Sequence, residues 1–111
     1  MCVFCKIIAG EIPSTKMYED EKMVIIEDIA PQAPIHFLMI PKTHFAEVSE
    51  LDGEKAALLG ECFRTLGTLK EKLKLQDGYR LIINCGENGC QTVPHLHVHI
   101  LGGTKLSEKM I

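Results

Sequence analysis

The sequence predicts an α+β fold: an antiparallel five-stranded sheet with one long and one short helix, in a single domain spanning residues 1–111. Three observations predict it. Helical patterns are segregated from strand-like runs, and those runs can pair as hairpins. The 111 residues suffice for one domain, and no internal repeat or long linker divides them. Apolar residues make up 46% and charged residues 24%, near globular averages, which excludes disordered, collagen-like and coiled-coil chains.

The elements follow in order. Residues 2–9 read as a short helix, because Val3, Phe4, Ile7 and Ile8 share one helical face and Gly10 supplies a stop. Pro13 breaks that pattern. Extended runs follow at 16–19 and 23–28, and Val24, Ile25 and Ile26 give the second the β-branched, apolar character of a buried strand. Pro31 to Pro34 connects to a third strand at 36–40, closed by Pro41. Between Asp52, an N-cap residue, and Leu73, the side chains Leu59, Phe63, Leu66, Leu69 and Leu73 recur at helical spacing. Gly60 and Gly67 each weaken that helix by about 1 kcal/mol relative to Ala, a cost that a packed apolar face can offset. Asp77-Gly78 marks a turn, 79–84 a strand, 85–93 a loop carrying Gly86 and Gly89, and 95–101 the last strand.

Charge and composition narrow the function. Lys and Arg number 12 against 15 Asp and Glu, a formal net charge of −3. A general nucleic-acid binder carries a basic surplus, so none is expected as partner, although a few local donors can still hold a small phosphorylated ligand. No apolar run approaches the roughly 18 residues of a membrane helix, and Met1 to Lys6 lacks the features of a secretion signal. A soluble cytoplasmic protein with no membrane partner is expected. The five cysteines are an odd number, and in a reducing compartment they point to metal or redox chemistry rather than disulfides.

The densest chemistry lies in Pro94-His95-Leu96-His97-Val98-His99-Ile100-Leu101. Strand side chains alternate faces, so His95, His97 and His99 share one face while Leu96, Val98 and Ile100 share the other. Same-face neighbours lie roughly 6.5–7 Å apart, close enough to share one metal or one phosphate. A solvated strand does not account for three histidines at strict alternation beside a glycine-rich loop. One metal held by all three would leave Cys2-Val3-Phe4-Cys5 unexplained.

This run resembles the histidine triad (HIT) motif, His-φ-His-φ-His-φ-φ with φ apolar. Phe4-Cys5-Lys6-Ile7-Ile8 and Glu11-Ile12-Pro13 are similar to the family's opening helix. Asp28-Ile29-Ala30-Pro31-Gln32-Ala33-Pro34-Ile35-His36-Phe37, followed by Ile40-Pro41-Lys42, resembles its Hint branch. Gly78-Tyr79-Arg80, then Asn84, Gly89, Gln91, Thr92 and Val93, and Leu101-Gly102-Gly103 extend the likeness over nearly the whole chain. The branch implied is the nucleoside phosphoramidases, which hydrolyse the P–N bond of nucleoside 5′-phosphoramidates. The implied ligand is a purine nucleoside monophosphate or phosphoramidate.

The resemblance also implies roles. His97 would be the nucleophile and form a nucleotidyl-histidine intermediate. His99 would hydrogen-bond the phosphate or leaving group, and His36 would orient the set. Asn84, Thr92 and the backbone after Gly89, at Cys90, would contact phosphate, with Gln91 a further neutral donor and Val93 beside them. Asp28 would take the ribose hydroxyls, while Phe4, Ile7, Ile26 and Ile29 would form the base slot. An imidazole suits the nucleophile's task, since its ordinary pKa of about 6.5 leaves it largely neutral near pH 7. Some HIT relatives carry zinc on a Cys₂His₂ set, which implies structural Zn²⁺ on Cys2, Cys5, His44 and His95.

Three departures from the branch bear on substrate: Cys90 stands in a glycine's place, Pro94 replaces an aromatic, and no tryptophan-containing tail follows. Other functions stay open at this point. They are a non-catalytic nucleotide-binding module, a dinucleoside polyphosphate hydrolase, and transfer to a sugar phosphate. The first does not need so many aligned histidines, the second wants more cationic groups and the third a longer chain. A homodimer is expected, because Ala56, Ala57, Leu58 and Leu59 make the long helix apolar beyond one stripe. The resemblance puts its contact on that helix and on the 79–84 strand.

Overall fold

A computed structural model of the chain describes residues 2–109; Met1, Met110 and Ile111, the ends of the expected single domain, lie outside them. Helix α1 (Val3–Ile8) precedes strands β1 (Lys16–Glu19), β2 (Met23–Glu27) and β3 (Ile35–Pro41). A 3₁₀ turn at Val48–Glu50 leads into helix α2 (Gly53–Thr68), then β4 (Tyr79–Ile82) and β5 (Val98–Gly102). Among the described residues the five strands form one antiparallel sheet in the order β1-β2-β3-β5-β4. The expected class, α+β with one long and one short helix, is the observed one.

Alternation along the central strands produces two cores. Met23, Ile25, Phe37, Met39, Val98 and Ile100 face α2, where they meet Leu59, Cys62, Leu66, Leu69, Leu73 and Leu75. Val24, Ile26, Leu38 and Ile40 face the other way and pack on Phe4 and Ile7 of α1. Both faces of β2 and β3 are covered, which explains why these strands read as continuous apolar runs. Each such side chain, fully buried, contributes about 1.5–3 kcal/mol. Burial pushes the Cys62 thiol, deep in the α2 core, up to about 11.

Several boundaries differ from those expected. The long helix ends at Thr68, not at Leu73. Leu69 and Leu73 stay buried on a series of turns, in which Leu69 N–H donates to Leu66 O and Leu75 N–H to Lys70 O, before the chain reverses at Lys74 with φ 59°. Burial of Leu69, Leu73 and Leu75 holds the chain down here, with a single helical-type bond from Leu73 N–H to Leu69 O. The last ladder begins at Val98, not at His95, because Met39↔Val98 is the final pair with β3. Upstream of it, Leu96 N–H donates instead to Phe45 O at 2.8 Å. Pairing of the 79–84 segment stops at Ile82, and β3 begins at Ile35 and includes Pro41. No helix among the described residues is long and apolar enough to cross a membrane.

Candidate functional site

The sheet face covered by α1 carries the chemistry. On β3 the alternation that turns Leu38 and Ile40 toward α1 does the same for His36. On β5 and the segment before it, His95, His97 and His99 point the same way while Leu96, Val98 and Ile100 enter the α2 core. The antiparallel register pairs His36 with Leu101 and Leu38 with His99, which brings the His36 and His99 rings to 5.2 Å between centroids. His97 and His99 are likewise 5.2 Å apart.

Backbone partners fix the tautomers of these rings. His97 Nδ1 lies 2.8 Å from the His95 carbonyl, so Nδ1–H donates and Nε2 keeps its lone pair. His36 Nδ1 accepts the Gln32 N–H at 3.0 Å, which leaves the proton on Nε2. His36 Nε2–H then faces His99 Nδ1 at 2.9 Å and Asp28 Oδ2 at 3.4 Å. With Nδ1 accepting, His99 carries its own proton on Nε2. Burial lowers the His99 pKa below the ordinary histidine value, and the neighbouring His97 and His36 rings add to the effect. Two adjacent imidazoles thus differ in character: His97 Nε2 is an electron-pair donor and His99 Nε2–H a proton donor.

Both rings line a cleft of about 840 Å³, within the usual size of small-ligand sites. Phe4, Ile7, Ile26, Asp28, Ile29, Thr92 and Val93, all site residues expected from the sequence, line it too. So do Val3, Ile12, Pro13, Ser14, Thr15, Glu27 and Leu38, which sequence reasoning did not single out. Alternation with His36 was a usable signal for Leu38. The loop at 12–15 carries no such pattern. Ile29 is fully exposed at the cleft's lip. Asp28 Oδ1 accepts the Ala30 N–H at 2.8 Å, which closes a turn under that lip.

The other expected residues lie in the loop beside the cleft and do not line it. Asn84 donates to Gly89 O at 2.7 Å. Gln91 was expected to donate toward phosphate; its amide nitrogen instead donates to Ala46 O and Val93 O, and its oxygen accepts the Gly86 N–H. The Cys90 N–H closes a turn onto Glu87 O at 3.0 Å. A loop of this length must satisfy its own backbone groups, and these bonds do so. Cys90 itself adopts φ 59° and is exposed.

A second constellation lies next to the first. Cys2 and Cys5, of α1 and its N-cap, meet His44 and His95. The two Sγ atoms are 3.3 Å apart and the two Nδ1 atoms 3.1 Å apart. The four Sγ–Nδ1 separations are 3.2–3.6 Å. A tetrahedral zinc site with ordinary Zn–S and Zn–N bonds has edges of roughly 3.3–3.8 Å; the observed edges of 3.1–3.6 Å are slightly shorter but of that size, so the donor set fits that ion. His95 Nε2–H donates to Pro41 O at 2.7 Å, which leaves Nδ1 free to ligate. Asp28, His36 and His99 also come together, but His36 Nε2 holds a proton there, and the trio is a hydrogen-bond relay.

The chain's likenesses agree with this geometry. The HIT domain model matches residues 9–106. A solved structure described as a HIT family hydrolase from Clostridium thermocellum superposes with a TM-score of 0.93 at 48% identity, covering 99% of this chain and 96% of that one. Protein HitA of Neisseria gonorrhoeae is 45% identical over 91% of this chain and 94% of its own length. A 14 kDa zinc-binding protein of Zea mays is 43% identical over 95% of this chain and 84% of its own. With the family model covering most of its length, including His36, His95, His97 and His99, and relatives above 40% identity over nearly the whole chain, the chain belongs to the HIT family.

Proposed function

We propose that the protein is a cytoplasmic hydrolase of the Hint branch, acting on purine nucleoside 5′-phosphoramidates through a nucleotidyl-histidine intermediate. The observation that carries this is the pair of opposed tautomers at the end of an apolar cleft: a lone pair on His97 Nε2 next to a proton on His99 Nε2. The base would lie between Phe4, Ile7, Ile26 and Ile29, and Asp28 would hold the ribose hydroxyls. The α-phosphate would then stand before His97, with Thr92 on its oxygens and the Gly89–Val93 loop, held by Asn84, beside it.

His97 Nε2 attacks the phosphorus in line with the P–N bond. As that bond breaks, the leaving nitrogen, protonated from solvent, takes the electron pair and departs as the amine, while His99 Nε2–H donates a hydrogen bond to the phosphate or to that nitrogen. The His97 Nδ1–H bond to the His95 carbonyl stabilises the positive charge that the ring acquires. Water then attacks the phosphorus, His97 Nε2 leaves with its electron pair, and the water's proton passes to solvent. The products are a nucleoside monophosphate and an amine. His36, itself oriented by Gln32 N–H, keeps His99 in the required tautomer.

Zinc is the ion proposed for Cys2, Cys5, His44 and His95, and the zinc-binding name of the maize relative supports it. With four protein ligands the ion is closed to substrate and supplies structure, not chemistry. A homodimer is also proposed.

Turnover of adenosine 5′-phosphoramidate by wild-type and His97→Ala protein, with zinc measured on the same samples, tests this. We expect about one zinc per chain in both. Turnover should fall at least about a thousandfold in the variant, with AMP binding retained. Near-wild-type kcat in the variant would remove His97 as nucleophile. A wild type that binds AMP without turnover would leave a nucleotide-binding module, and zinc-free protein after chelator-free purification would remove the metal.

A further inference from the structure

Helix α1 serves two sites at once. Cys2 and Cys5 belong to the tetrahedral set, while Val3, Phe4 and Ile7 wall the cleft. Its six residues are far below the roughly 12–15 at which an isolated helix holds together in water. Tertiary contacts therefore fix where it lies. One is apolar, Phe4 and Ile7 against Val24, Ile26, Leu38 and Ile40. The other is the pair of sulfurs against His44 and His95.

The histidine half of that second contact is anchored independently. His95 is fully buried, its ring is bonded to Pro41 O, and the next residue is bonded to Phe45 O. Four lone-pair-bearing atoms with edges of 3.1–3.6 Å are held together firmly by a cation between them and, without one, only by weak thiol hydrogen bonds. Without it, α1 is the partner that can withdraw. Withdrawal would also disturb the nucleophile. The Phe4 ring stands edge-on to His95 at 6.0 Å and to His97 at 4.8 Å, and His97 Nδ1 is bonded to the His95 carbonyl.

We infer that α1 is a latch: metal on Cys2, Cys5, His44 and His95 holds the cleft wall in place, so metal and nucleotide bind cooperatively through residues they do not share. This rests on the proposed function, with a nucleoside 5′-phosphate in the cleft and zinc on the set. Linkage makes the effect reciprocal: the factor by which zinc tightens nucleotide binding is the factor by which nucleotide tightens zinc retention.

The test compares AMP affinity, by calorimetry, in zinc-loaded protein, chelator-stripped protein and His44→Ala. His44 is exposed and does not line the cleft, so its loss removes a ligand with little loss of packing. AMP binding should weaken by about tenfold or more in the last two, and saturating AMP should slow zinc loss to a chelator by a similar factor. Hydrogen exchange in the stripped protein should accelerate at Val3–Ile8 while Met23–Glu27 and Val98–Gly102 stay protected. Equal AMP affinity with and without zinc would overturn the latch. So would loss of protection across the whole sheet, which would make the metal a condition of folding. Zinc-loaded protein that binds neither AMP nor GMP would overturn the nucleotide assignment, and protein that takes up no zinc would overturn the metal; either removes the latch for its own separate reason.

Discussion

At the scale of single residues, the same side chain takes different chemistry from one backbone partner. His36 and His95 are both buried imidazoles within reach of other metal-binding groups. A backbone N–H on His36 Nδ1 makes it a relay member, and a backbone carbonyl on His95 Nε2 makes it a metal ligand. The relay carries a pH signature at His99, whose folded pKa burial holds below the ordinary value of about 6.5. As pH falls through 6.5 the unfolded chain takes up a proton that native His99 refuses. Its contribution to stability is therefore full above 6.5 and is lost as pH falls toward and through the folded value. A histidine NMR titration should place the His99 midpoint below 6.5, and a midpoint at or above 6.5 would contradict the half-buried, neutral donor.

At the scale of elements, the loop between β4 and β5 is shaped by one close approach. A Cβ on Gly89 would stand 2.4 Å from the Cys85 carbonyl oxygen and 2.9 Å from its nitrogen. Both neighbours are backbone, so the loop itself would have to open. Gly89→Ala should cost about 1–3 kcal/mol in denaturant unfolding. It should also weaken AMP binding, because Asn84 holds the loop through Gly89 O. Unchanged stability and affinity would mean the loop has slack that the packing does not suggest. The loop's bonds through Gln91, to Gly86 N–H, Ala46 O and Val93 O, hold it in one shape just before the histidine run.

At the scale of the whole molecule, the sheet ends in β4, which pairs only with β5 and presents Leu81 at 38% exposure. Helix α2 buries Leu59, Cys62 and Leu66 beneath it. One flank, with Glu54, Leu58 and Glu61, faces Lys22 and Thr43. The opposite flank, with Ala56, Gly60 and Gly67, presents small, exposed residues. A two-fold contact of β4 edges and these flanks would cover both. Light scattering should give about twice the 12.4 kDa chain mass. Gly60→Arg, at a position where an added Cβ meets nothing within 4 Å, should give the single-chain mass with the fold retained. A monomeric wild type would remove the dimer, and a dimeric variant would remove this face.

Order and type of the elements, the two faces of the central strands and the shared face of His95, His97 and His99 were legible in the sequence, because periodicity is a local property of the chain. The cleft wall was partly legible through Phe4, Ile7 and Ile26, to which the family resemblance, not periodicity, pointed. Where α2 stops and β5 starts was not, since burial of Leu69 and Leu73 and the Leu96–Phe45 bond are settled by partners distant in sequence. Nor were the tautomers, which depend on Gln32 N–H, Pro41 O and His95 O, backbone groups that no side chain marks in the sequence. The sequence by itself determined which side chains could do chemistry. Only the tertiary structure decided which atom of each ring holds the proton, and that Cys2 meets residues 42 and 93 positions away, because hydrogen-bond partners and convergent ligands are matters of three-dimensional proximity.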